Sequence, residues 1–179
     1  FVGIALTAED IILLIFGAKW ADAVGLLQVL ACTAALGNLA LYATTALVAV
    51  NRTYLTLKAE VLTTLLALAL VYVLGPVYGG MAAAIALLIR MVAITPLQVI
   101  GLNTAIGYGW RTFFESAYRS VIATLVMAAV VSWVSSHSGL VGYLHLIANI
   151  AAGGLAYALA YSVLHPRWPH EFKLVFTTR

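Results

Sequence analysis

Charged side chains are scarce in this sequence of 179 residues. Only 8% of the residues are Asp, Glu, Lys or Arg, whereas 64% are apolar, and the mean hydropathy is +1.07. Soluble domains carry roughly 25% charged residues and 45–50% apolar residues. The scarcity excludes an ordinary soluble domain and predicts an all-α, polytopic membrane protein. A net charge of +3 does not suggest a nucleic-acid partner.

Cysteine and the common catalytic motifs are nearly absent as well. Cys32 is the single cysteine, so no disulfide can form within the chain. The sequence contains no HExxH, no GxSxG and no P-loop, and no cysteine and histidine lie at metal-binding spacing. We therefore expect neither an enzyme nor a bound cofactor or metal.

The sequence has instead six apolar stretches separated by short polar breaks. About 20 helical residues cross the ~30 Å hydrocarbon layer, and each of the last five stretches is about that long. Breaks such as "GAKWAD", "VNRT" and "GPVYGG" contain turn-forming residues. The predicted transmembrane helix bundle, residues 1–165, consists of the segments 1–16, 23–49, 53–75, 79–103, 113–135 and 141–165. Because the first residue already lies in an apolar segment, we expect the chain to be the C-terminal part of a longer protein.

Lysine and arginine divide unevenly between the two sides of such a bundle. Alternating breaks place seven of them on one side and only Lys19 on the other, with Arg90 left inside a segment. The seven are Arg52, Lys58, Arg111, Arg119, Arg167, Lys173 and Arg179. Because short cytoplasmic loops carry the excess of positive charge, both ends are predicted to be cytoplasmic. Residues 166–179 then form a juxtamembrane tail on the anionic inner leaflet.

Arg90 is a charged residue deep within an apolar segment. An arginine at the centre of a membrane helix costs at least ~2.5 kcal/mol unless it faces protein or water. At 100° per residue, Arg90 shares a stripe with small residues such as Ala86 and Gly101, whereas Val92 and Val99 lie on the opposite face. Small residues favour close helix packing or a cavity, and large aliphatic residues suit lipid. We therefore predict that Arg90 points into the bundle.

Depth along the helices indicates which polar groups lie near Arg90. Thr63 and Thr64 are predicted to be level with it, whereas Glu60 is predicted about 9 Å nearer the cytoplasm, so an ion pair with Glu60 requires an extended arginine. Asn38 and Asn149 lie near the middle of their own segments. We expect a polar layer of candidate substrate-binding residues: Arg90, Asn38, Thr64 and Asn149. The alternative is that backbone carbonyls or an acidic side chain of the bundle satisfy Arg90.

The acidic residues within the apolar segments, Glu9, Asp10 and Glu60, are candidate ion or coupling sites. "TAED" at 7–10 has a threonine three residues before an acid, which is a capping-box pattern. It fits a helix that breaks and restarts there, or a water-filled cavity beside it, and broken helices occur at transporter sites. Asp10 is also a possible internal partner of Arg90.

Four stretches of the sequence occur in an order that resembles a known family. "DIILLIFGAKWADAVGLLQVLA" is similar to the outward helix, "lllGxxW" loop and following helix of bacterial polysaccharide flippases. "ALVAVNRTYLTLKAEVL" looks like their cytoplasmic turn, "GPVYGGMAAAIA" like their "GxxGxAxA" turn, and "LAYALAYSVLHPRW" like their closing helix. The chain thus resembles, over nearly all its length, the O-antigen and exopolysaccharide flippases of the MATE-like MOP superfamily.

The resemblance implies two helical bundles facing one cavity, with this chain supplying most of the second bundle and two further helices. The implied function is to flip undecaprenyl-pyrophosphate-linked oligosaccharides across the bacterial inner membrane by alternating access. The implied partners are that lipid-linked oligosaccharide, membrane lipids and the N-terminal half of the same transporter. A guanidinium such as that of Arg90 can hold a pyrophosphate bidentately.

Other functions need different residues. A MATE-type cation-coupled multidrug exporter requires an intramembrane carboxylate, for which the three acidic candidates above are available. A membrane-embedded polymerase or acyltransferase requires a catalytic group on an outward loop, where the sequence offers only Lys19, Asp22 and His137. A purely structural role explains none of the polar residues within the apolar segments.

Overall fold

The computed structural model describes residues 1–107, 109–139 and 142–164, apart from the side chain of Ser116. These residues are almost entirely helical, and no strand occurs among them. Five helices within them are long and apolar enough to cross a membrane. The all-α prediction is confirmed, and the chain has the character of a multi-pass membrane protein. The predicted tail, residues 166–179, lies outside the described residues.

The five long helices follow the last five predicted segments. They are α3 (Ala23–Ala49), α4 (Thr53–Tyr78), α5 (Gly80–Ile106), α6 (Trp110–His137) and α7 (Tyr143–Leu164), after the short helices α1 (Val2–Leu6) and α2 (Ala8–Ile11). One of the larger differences, three residues, is at "GPVYGG", where α4 continues through Pro76 to Tyr78. Proline removes one backbone hydrogen bond to the residue four positions earlier, and a membrane helix tolerates that loss. The helix ends only at Gly79, whose φ of 53° suits glycine.

The first predicted segment is broken and is not one of the five long helices. After α1, Thr7 departs from helical geometry with φ −102° and ψ 13°; α2 follows, then a π-helical turn (Ile12–Phe16) that ends at Gly17. The Thr7 hydroxyl donates to the Gly3 carbonyl at 2.9 Å and makes no forward cap. The predicted break is therefore present. The predicted capping box is wrong, because the hydroxyl bonds backwards along its own helix, as threonine does within helices.

The described residues divide into two compact units, one that extends to Phe113 and one that begins at Phe114. In the first unit, α5 packs along both α3 and α4, whereas α3 and α4 touch each other much less. In the second unit, α7 approaches α6 closely at Gly153, where an added β-carbon would lie 2.8 Å from Cγ2 of Val131. The missing side chain of Gly153 permits this approach.

The contact between α3 and α5 keeps one register over much of its length. A β-carbon on Gly37 would lie 3.6 Å from the Met91 sulfur, Gln98 Nε2 donates to Thr44 Oγ1, and Leu47 Cδ1 lies 3.6 Å from the β-carbon position of Gly101. In each pair the two residues have the same separation along the chain, so the two helices are parallel. The contacts follow one another by seven and then three residues on each helix, a spacing typical of left-handed helix packing.

The faces of α5 differ from the predicted pattern. Val99, predicted on the lipid side, is 0% exposed, while Val92 is exposed as expected. The prediction assumed one buried stripe, but α5 has a neighbour on each of two sides, so its buried positions spread around more of the helix. Those positions are Ala82, Ala84, Ala86, Ile94, Gln98, Val99, Gly101 and Leu102.

Candidate functional site

Arg90 forms an ion pair with Glu60 across the contact between α5 and α4. The Nη2 group of Arg90 donates to Oε2 of Glu60. The Arg90 side chain is 17% exposed and that of Glu60 is 39% exposed. Of the two roles that the sequence leaves open for Arg90, the structure shows an internal partner, and it is Glu60.

The ion pair leaves part of the guanidinium unused. Arginine carries five N–H donors, and the buried Nε of Arg90 has no hydrogen-bond partner among the described residues. Charged side chains within a membrane helix are costly, and pairing with an opposite charge lowers that cost. The pair therefore keeps Arg90 charged in an apolar environment while one of its donors has no acceptor within the described part of the chain.

A second polar contact lies further along α5. Gln98 is 1% exposed, and its Nε2 donates to Thr44 Oγ1 on α3 at 2.8 Å. Gln98 Oε1 and Thr56 Oγ1 on α4 are buried without a partner among the described residues. Sequence reasoning missed Gln98, which follows Arg90 by eight residues and lies about 80° from it around the helix, on the side toward α3.

The predicted polar layer does not assemble around Arg90 in the first unit. Asn38 is exposed, and its Nδ2 donates to the backbone carbonyl of Ala34 at 2.8 Å. Thr64 is exposed as well, whereas its neighbour Thr63 is buried. The prediction from depth along α4 did not fix the rotation of the helix, which turns by about 100° from one residue to the next.

Asn149 belongs to the second unit and is 2% exposed. Its Nδ2 lies 3.3 Å from Nε2 of His145, one turn earlier on α7. Its Oδ1 is buried without a partner among the described residues. The structure therefore places Asn149 in a polar contact of its own helix.

The acidic residues of the first segment differ from Glu60 in their surroundings. Glu9 is exposed and Asp10 is partly buried. Nearby, the π-helical turn and α3 enclose an apolar groove of about 270 Å³, with Phe16, Trp20 and Leu26 among its walls. No carboxylate lines that groove. In the described ranges, no three His, Cys, Asp or Glu side chains come together to hold a metal ion.

Fold and site together define a multi-pass helical membrane protein with a charged pair between two of its long helices. No protein-family model matches the chain, and no curated protein or solved structure matches it either. The resemblance to polysaccharide flippases stays a prediction from the sequence.

Proposed function

We propose that this chain is part of a transporter that flips undecaprenyl-pyrophosphate-linked oligosaccharides across the bacterial inner membrane. The Arg90–Glu60 pair carries the proposal, because it is a charged contact between two apolar helices long enough to cross a membrane. Ionisable residues in such helices are costly, and they commonly mark a substrate or ion pathway. The order of sequence landmarks shared with polysaccharide flippases supplies the substrate class.

A pyrophosphate can compete with Glu60 for Arg90. Oxyanions of phosphate bind guanidinium side-on through two parallel N–H donors, and Arg90 has a buried Nε without an acceptor. Glu60 is then the counter-ion that pairs with Arg90 when no substrate is bound. Lysine retains the charge at this position but lacks the two-pronged geometry.

Complementation of a deletion strain with the full-length protein tests the proposal. Arg90→Ala and Arg90→Lys are expected to stop polysaccharide export and to leave lipid-linked repeat units on the cytoplasmic face, while folded protein stays in the membrane. Arg52→Ala is the control, because Arg52 is exposed before α4 and bonds only weakly to Tyr54, at 3.4 Å. Unchanged export with Arg90→Ala would remove Arg90 from the mechanism.

A cation-coupled multidrug exporter of the MATE type is the second candidate. One observation favours it: the Glu60 carboxylate is more than one third exposed and so can be reached by a cation or a proton. Glu60→Gln separates the two functions. If the protein is a flippase, the Glu60→Gln variant still has Arg90 available for the substrate and retains polysaccharide export. If it is a carboxylate-coupled exporter, the variant loses drug efflux, which is measured as accumulation of a fluorescent cationic dye.

A further inference from the structure

The exposed faces of α3 and α4 differ in chemistry. On α4 the exposed face is formed mainly by large aliphatic side chains, which suit lipid acyl chains. Its members include Leu57, Val61, Leu65 and Leu68, together with Thr64 and, near the other end, Tyr72. Along the half of α3 that leads to Ala49, three exposed polar side chains lie beside the exposed Leu41 and Val48, and one of the three is the amide of Asn38.

Asn38, Tyr42 and Thr45 lie on one face of α3, and we call them the α3 polar stripe. Their spacing of four and three residues places them within about 60° of one another around the helix. All three are exposed, and Tyr42 is 75% exposed. Ala40 and Leu47, on the other side of the helix, are buried in the contacts of the first unit.

The hydrogen bonds of the stripe use donors and leave acceptor atoms available. Asn38 Nδ2 donates to the Ala34 carbonyl, and Thr45 Oγ1 donates to the Leu41 carbonyl at 2.9 Å. Both side chains therefore use a donor on their own helix, while the Asn38 carbonyl oxygen and the lone pairs of the Thr45 oxygen stay available. No hydrogen bond of the Tyr42 hydroxyl occurs within the described part of the chain, and its ring is open on the surface.

Acyl chains are a poor environment for this stripe. Tyr42 lies seven residues before the end of α3, which corresponds to a depth of roughly 10 Å, and Asn38 lies deeper. Polar groups on membrane helices face protein or a water-filled cavity rather than hydrocarbon. The stripe therefore needs a polar neighbour.

We propose that the α3 polar stripe lines a water-filled path and binds the hydroxyl groups of the sugar units of the substrate. Sugar hydroxyls donate to the oxygen atoms of Asn38 and Thr45, and the apolar face of a sugar ring packs on the Tyr42 ring, as flat amphipathic rings allow. The choice of sugar as the ligand rests on the proposed function. The existence of the water-filled path does not.

Cysteine labelling in membrane vesicles of the full-length protein tests the path. The exposed Cys32 is first replaced by alanine, and Asn38→Cys, Tyr42→Cys and Thr45→Cys are then introduced one at a time. Tyr72→Cys is the matched control, because Tyr72 is 85% exposed and lies six residues before the end of α4 among valines. A charged, membrane-impermeant thiol reagent, applied to either face, reacts only with thiolates in water.

The expected result is labelling of the three stripe positions at least about tenfold faster than of the control, since only the control thiol lies in hydrocarbon. If all three stripe positions react as slowly as Tyr72→Cys, the stripe is covered by lipid or protein rather than water, and the proposal is wrong. This readout does not require export, so it distinguishes failure of the path from failure of the flippase function.

Protection of the thiols from labelling tests the ligand. The probe is the oligosaccharide released from the lipid-linked repeat unit of the cell, with inorganic pyrophosphate as the comparison. Protection of the stripe thiols by the oligosaccharide, with no protection by pyrophosphate, supports sugar binding. Rapid labelling that the oligosaccharide does not slow rejects the stripe as a sugar site, even where export by the parent protein is normal.

Discussion

The two polar contacts of α5 differ in charge, partner and exposure. Arg90 pairs with Glu60 of α4 through full charges and stays partly exposed, whereas Gln98 bonds to Thr44 of α3 as a neutral group that is almost fully buried. A neutral hydrogen bond suits a sealed helix contact, because neither group is left charged when the contact opens. A charged pair at a more open position can exchange its partner for another ion. The side of α5 that faces α4 is therefore the candidate site, and the side that faces α3 is structural.

Removing the negative charge of Glu60 is expected to have the largest effect on stability. Glu60→Leu leaves Arg90 charged and without its carboxylate partner, and truncating one member of a buried pair costs ~3–5 kcal/mol. Because Glu60 is partly exposed, we expect a loss near the lower limit, about 3 kcal/mol, in the free energy of unfolding. Thermal unfolding of the detergent-solubilised protein measures it.

The double variant Glu60→Leu/Arg90→Leu is the control for that loss. Removing both charges eliminates the unpaired guanidinium, so the double variant should be more stable than Glu60→Leu alone. A double variant that is as unstable as the single one would mean that the leucine at position 60, and not the unpaired charge, causes the loss.

Thr44→Val is expected to have the next largest effect. It removes the acceptor of Gln98 Nε2, while Gln98 Oε1 already has no partner among the described residues, so both ends of a buried amide lack partners. Leaving a buried donor unsatisfied costs ~1–3 kcal/mol. Urea or thermal unfolding should show a loss in this range. No loss at all would indicate that Gln98 finds another acceptor, such as the Thr56 hydroxyl.

Gln98→Leu is expected to have the smallest effect, although it removes the same hydrogen bond. The substitution also removes the unpartnered Oε1, and leucine fills most of the same space, so we expect a change below about 1 kcal/mol. The free energies of unfolding of Gln98→Leu and Thr44→Val should be compared under identical conditions, because their order tests this explanation. If Gln98→Leu is the more destabilising variant, the amide contributes packing or a contact beyond the bond to Thr44.

Most of the helical organisation could be predicted from the sequence. The limits of α3 agree with the predicted segment 23–49, because polar residues stand at both ends: Asp22 before it, Asn51 and Arg52 after it. For the first segment, the break was predicted correctly but the hydrogen bonding at the break was not. "TAED" indicates a break, but the backward hydrogen bond of Thr7 depends on a side-chain rotamer that the pattern does not specify.

The site was harder to predict than the helices. Periodicity identifies an apolar face but not the number of neighbours, so Val99 was assigned to lipid although α5 has two helices beside it. Depth estimates placed Glu60 about 9 Å nearer the cytoplasm than Arg90, so that only an extended arginine could reach it, and the structure shows that the two side chains do pair. The same estimates placed both Thr63 and Thr64 level with Arg90 and could not decide which of them is buried, since they carry no information on helix rotation.

The shared register of α3 and α5 limits how these two helices can move. A slide of one along the other would break the Thr44–Gln98 hydrogen bond and drive the Met91 side chain away from the space left by Gly37. We therefore expect α3 and α5 to resist sliding along each other. A displacement of α4 would instead separate Glu60 from Arg90 without breaking the hydrogen bond between Thr44 and Gln98.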